Sequence, residues 1–139
     1  MYNMIDKLKE IIIATDYCDA RVFDFRCDYF GDEVYLFLEN DDNSCWKISF
    51  LMCASVQYET DAGWSKSWRH NPKYVCEMRK SQLGYFCQEI SLDYSNKFEG
   101  FIDVTFDLSI MSGKITCKEI KVDKVNNEDC DFFWNNTSK

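Results

Sequence analysis

From Trp46 to Tyr58 the chain places an apolar side chain at every second position: Trp46, Ile48, Phe50, Met52, Ala54, Val56 and Tyr58, with Lys47, Ser49, Ser55 and Gln57 among the residues between. A period of two puts one face of an extended strand in a core and the other in water, a pattern no helix can satisfy. The same period recurs along most of the chain. Residues 20–30 set Phe23, Phe25, Cys27 and Tyr29 on one face, and Val34 to Glu39 is apolar on both faces, as in a strand covered on both sides. Further on, residues 85–94 turn Phe86, Ile90, Leu92 and Tyr94 inward, and residues 98–110 do the same with Phe98, Ile102, Val104, Phe106, Leu108 and Ile110. Residues 114–125 begin with Ile115 and Cys117 inward, then change phase to Ile120 and Val122. That is the mark of a β-bulge, expected at Lys118-Glu119.

The start of the chain has a clear helical period, and Val75 to Gln82 is expected to form a short helix. Residues 1–15 read as an amphipathic helix with Met4, Leu8, Ile11 and Thr15 on one stripe and Ile5 and Ile12 beside it. Turn chemistry divides the strands at Phe30-Gly31-Asp32-Glu33, Asn40-Asp41-Asp42-Asn43-Ser44, Ser95-Asn96-Lys97 and Ser112-Gly113. The expected fold is therefore α+β and mainly β. An N-terminal helix precedes two antiparallel three-stranded meanders, 20–58 and 85–125, which form a sandwich-like or strongly curved sheet. The chain reads as a single domain, 1–139, with a 60–83 excursion between the meanders and a polar tail, 126–139. The Phe132-Phe133-Trp134 triplet of that tail is expected to dock on the body.

Composition narrows function mainly by exclusion. Aromatic residues make up 17% of the 139 residues, which rules out a disordered chain, and apolar runs such as Ile11 to Ala14 are far short of the roughly 20 residues of a membrane helix. A net charge of -8 disfavours nucleic acid and anionic membrane and favours basic partners. Residues 16–42 carry nine carboxylates against two arginines, whereas 64–80 reverses the sign with Lys66, Arg69, Lys73, Arg79 and Lys80 against Glu77. Eight cysteines show no C-x-x-C pair, and the opening residues lack the pattern of a signal peptide. The expectation is reduced, structural thiols in the cytoplasm, with no metal and no cofactor.

The chain contains no G-x-S-x-G, P-loop, G-x-G-x-x-G or H-E-x-x-H motif, and its one histidine, His70, sits in the excursion. No catalytic residue is assigned, and the expectation is a protein that is not an enzyme. Two groups stand out as partner-binding candidates. The first is Trp64, Trp68, Arg69 and His70 in the excursion, since aromatics and arginine are favoured at binding hot spots. The second is an acidic row of Glu89, Asp103 and Asp123 on the outer face of the last three strands. The expected register sets Tyr94 opposite Phe98, Glu89 opposite Asp103, Asp93 opposite Glu99 and Asp103 opposite Asp123. Like charges directly opposite destabilise a sheet, so such a row suits a cationic partner.

The segments Asp19-Ala20-Arg21-Val22, Glu33-Val34-Tyr35-Leu36-Phe37-Leu38-Glu39 and Trp46-Lys47-Ile48-Ser49-Phe50 carry a resemblance. Across residues 18–58 the chain resembles small β-rich bacterial immunity proteins of polymorphic toxin systems. That resemblance implies a cytosolic, non-catalytic protein that binds and blocks a cognate toxin, and it carries over no catalytic residue. An acidic inhibitor of a basic toxin matches the charge balance. A small-molecule-binding β domain with a mouth at residues 60–83 and a small carboxylate-based hydrolase are the alternatives. The oligomeric state is left open.

Overall fold

The computed structural model describes residues 4–60 and 74–135. It contains helix α1 (Met4–Ile13) and strands β1 (Val22–Asp28), β2 (Glu33–Glu39), β3 (Ser44–Thr60), β4 (Glu89–Tyr94), β5 (Ile102–Asp107) and β6 (Met111–Asn126). Both expected meanders are present, and they join into one six-stranded antiparallel sheet of order β1-β2-β3-β6-β5-β4. The seam is the ladder between the two longest strands, β3 and β6, which runs from Ser44↔Asn126 to Thr60↔Met111.

The sheet is not closed by a continuous ladder, but it is rolled so far that its opposite ends touch. Arg21, just before β1, bridges to Phe86, and Val22 N–H donates to the Tyr85 carbonyl at 2.8 Å. Cys87 N–H returns a bond to the Ala20 carbonyl at 2.8 Å. Of the two expected forms, the strongly curved single sheet is the one observed.

The inner concave face holds the main core, built from Val34, Leu36, Ile48, Phe50, Val104 and Ile115 among others, with α1 against β4 and β6. The helix buries Ile5 and Ile12, with Leu8 partly buried and Thr15 buried just beyond its end, while Met4 and Ile11 face water. The apolar stripe thus runs through positions 5, 8, 12 and 15, rotated from the expected Met4–Leu8–Ile11 line.

A second core lies on the outer face of β1–β3. Phe23, Phe37 and Cys45 meet Met78, Leu83, Phe132 and Trp134 there. This explains why β2 is apolar on both faces. The tail docks as expected: Phe132 and Trp134 stack at 5.0 Å, and the Trp134 indole N–H donates to the Phe23 carbonyl at 2.9 Å. Phe23 and Phe25 do not share a face as expected. A bulge between Val22 and Asp24 sends Phe23 to the tail cluster and Phe25 to the inner core, where its ring sits 5.5 Å from that of Phe106.

The phase change in β6 is present, with Ile115 and Cys117 buried and then Ile120. The extra residue, however, lies on β3, between Cys53 and Ser55, close to Met52 at φ 55°. Two turns also fall elsewhere than expected. The β4–β5 loop spans residues 95–101, because the Ser95 hydroxyl accepts hydrogen bonds from the Lys97 and Phe98 N–H groups and keeps Phe98 out of the strand. The β5–β6 reversal is at Leu108-Ser109-Ile110, where Asp107 Oδ1 accepts the Ser109 N–H at 2.9 Å and Ser109 takes φ 73°. Ser112 and Gly113 lie inside β6.

All eight cysteines are free, and Cys45, Cys87 and Cys117 are fully buried. Burial pushes these three thiols up to about 12, so they behave as small apolar fillers. The hairpin tip between β1 and β2 holds two successive non-glycine residues in the left-handed region. Tyr29, Phe30 and Gly31 take φ of 54°, 63° and 98° in succession. The left-handed region costs a non-glycine residue about 1–2 kcal/mol.

Candidate protein-binding face

Strict alternation on four strands builds a polar grid on the outer face of the second half of the sheet. One row runs Asp93, Asp103, Thr116, Ser55 across β4, β5, β6 and β3. The next runs Ser91, Thr105, Lys114, Gln57, and the third Glu89, Asp107, Ser112, Glu59. These rows therefore hold five carboxylates and one cation, Lys114, and two pairs of like charge stand directly opposite each other: Asp93 with Asp103 and Glu89 with Asp107.

Asp103 is the best-held of these groups. The Thr116 hydroxyl donates to its Oδ1 at 2.6 Å, and Lys114 Nζ lies 3.4 Å from its Oδ2. Burial opposes ionisation most strongly, but the Thr116 hydroxyl, then Lys114, outweigh it and hold the carboxyl below the usual carboxylate value. A carboxylate kept ionised in this way is suited to attracting a cation. Beside it a recess of about 130 Å³ opens between Ser55, Lys97, Phe98 and Thr116.

The expected acidic row is divided by this register. Glu89 faces Asp107 rather than Asp103, and Asp103 faces Asp93 and Thr116 rather than Asp123. Tyr94 faces Ile102 rather than Phe98, and Glu99 lies in the β4–β5 loop, so Asp93 does not meet it. Asp123 lies further along β6, opposite Lys47 of β3, in a stretch where charges alternate in sign. Glu89 and Asp103 thus share a face in different rows, and Asp123 stands apart from them. Asp93, Asp107 and Glu59 complete the group. Their alternation with inward residues was the signal available for them. Trp64, Trp68, Arg69 and His70 lie outside the described residues.

No group of three or more His, Cys, Asp or Glu side chains placed to hold a metal occurs among the described residues. Nor is any described helix long and apolar enough to cross a membrane. An apolar recess bordered by Phe23, Phe25, Tyr58, Tyr85 and Met111 has a volume of about 200 Å³.

Three comparisons with known proteins bear on this geometry. A family model described as immunity protein PIM7 matches residues 4–124. No curated protein matches the chain. Among solved structures, the crystal structure of an uncharacterized protein from Neisseria gonorrhoeae is similar at a TM-score of 0.51 and 12% identity, over 77% of this chain and 92% of that one. At that identity the likeness concerns the fold alone.

Proposed function

The chain belongs to the immunity protein PIM7 family, and from that premise we propose that it is a cytoplasmic immunity protein that binds and blocks a basic cognate toxin. The observation that carries this reading is the face that Glu59, Glu89, Asp93, Asp103 and Asp107 share with the single cation Lys114 of its rows. Opposed carboxylates lower the stability of the free sheet, and a cationic surface laid over them would relieve that repulsion. Blocking by occupancy needs no catalytic group, and a negative face speeds encounter with a positive one. The contact role expected of Trp64, Trp68, Arg69 and His70 belongs to the same proposal.

The test is association with the product of the neighbouring gene, followed by stopped-flow. The Glu89→Gln, Asp93→Asn, Asp107→Asn triple variant should associate on the order of tenfold more slowly at low salt, with the difference shrinking as salt rises. Asp123→Asn, away from this face, should change the rate little. Trp68→Ala in the same assay should weaken the complex by about 2 kcal/mol. Absence of a complex, or a triple variant that associates at the wild-type rate and salt dependence, would sink the reading.

A further inference from the structure

We propose that Tyr29 and Phe30, at the tip of the β1–β2 hairpin, form the apolar anchor by which this chain inserts into a hydrophobic pocket on a basic protein partner, a site that rests on the immunity reading and deepens it. Phe30 is 109% exposed and Tyr29 68% exposed. Large aromatics at such exposure offer bare apolar surface to water with no return in the free protein. Both take left-handed backbone angles, where a turn ordinarily uses glycine, asparagine or aspartate. Strain of this kind clusters at functional sites, where the surrounding structure holds it in place.

Here the holding contacts are visible. Asp32 N–H donates to the Tyr29 carbonyl at 3.1 Å, and Cys53 N–H donates to the Asp32 carbonyl at 3.0 Å, fastening the tip to β3. Met52, next to that attachment, is itself 52% exposed at φ 55°. Tyr29 and Phe30 thus protrude from a backbone fastened to β3, the form a rigid binding anchor takes.

Its rim states the partner's chemistry. Asp28, Asp32 and Glu33 flank the two aromatics, and no Lys or Arg occurs between Cys27 and Glu33. Carboxylates flanking an apolar centre along the chain match a pocket lined by apolar groups and edged with Lys or Arg. The tip also adjoins the carboxylate face: Cys53, which bonds Asp32, lies two residues from Ser55, the end of the Asp93–Asp103–Thr116 row.

Phe30→Asn and Tyr29→Asn test this directly, because asparagine accepts the left-handed region and both side chains project into water. The expected result is a thermal midpoint unchanged or raised, with the complex with the neighbouring gene's product weakened about thirtyfold for Phe30→Asn. A fall in thermal midpoint of several degrees would mean that the aromatics serve the fold, and the inference would fail. A wild-type complex that both variants form equally well overturns the anchor and leaves the immunity reading intact. No complex with wild-type protein overturns both. Phe30-dependent binding to phosphatidylcholine vesicles with an unaffected complex would assign the tip to a lipid surface instead.

Discussion

A methyl group built on Gly113 would come 2.3 Å from the Gln57 carbonyl oxygen and 2.7 Å from Phe106 Cζ and Tyr58 Cβ. Backbone on one side and a core ring on the other leave nothing flexible to yield. This glycine therefore serves the close approach of β3, β5 and β6 rather than a turn. Gly113→Ala should cost about 1–3 kcal/mol and lower the thermal midpoint by several degrees. A melting curve superimposable on wild type would show that the sheet can open at this point. The residue also shows why a Ser-Gly pair misleads in sequence. Glycine marks turns and close approaches alike, and only the neighbouring strands, which are remote in sequence, tell them apart.

At the scale of elements, what was legible is what period and composition control. The β3 alternation from Trp46 to Phe50, the double-sided β2 and the docking of the tail all follow from where apolar side chains can go, whereas beyond Phe50 the β3 bulge turns Met52 and Ala54, both expected inward, out to water. Two of the four turn positions did not follow, because single side chains decided them: the Ser95 hydroxyl lengthened one loop, and the Asp107 carboxylate with the left-handed Ser109 moved another. The tail is the element whose removal is most informative. Phe132 is fully buried and edges onto Phe23 at 5.5 Å and Phe37 at 5.2 Å. Phe132→Ala should destabilise by about 3–5 kcal/mol, read as a lowered urea midpoint. A loss below about 1 kcal/mol would mean that the tail only rests on the sheet.

Across the whole molecule, the candidate face was legible as a face and not as a set of rows. A one-residue slip between strands reverses inside and outside, so burial of Ile90, Leu92, Val104 and Ile115 forbids it. A slip of two or four residues keeps every side chain on its own face and changes only its partner. That is how Tyr94 comes to pair with Ile102 instead of Phe98, and why Glu89 and Asp103 share a surface without meeting. Whether two meanders make one sheet or two lies further from the sequence still, because it depends on pairing between segments on either side of the 60–83 excursion.

That β3–β6 seam sets how quickly the molecule can be made. Each meander closes through short loops, but Ser44 must find Asn126 and Thr60 must find Met111 before the ladder rewards the chain for the entropy it has lost. Sheets dominated by such distant pairings fold in roughly milliseconds to seconds. Ile120, which faces Phe50 across the seam and lies beyond the reach of β5, reports on the event. If the seam forms at the barrier, Ile120→Val should slow refolding and leave unfolding nearly unchanged; the opposite split in a stopped-flow chevron would place the seam after it. A newly made chain would, on this account, pass through a stage with both halves formed and their long strands still unpaired, exposed to any other strand it meets.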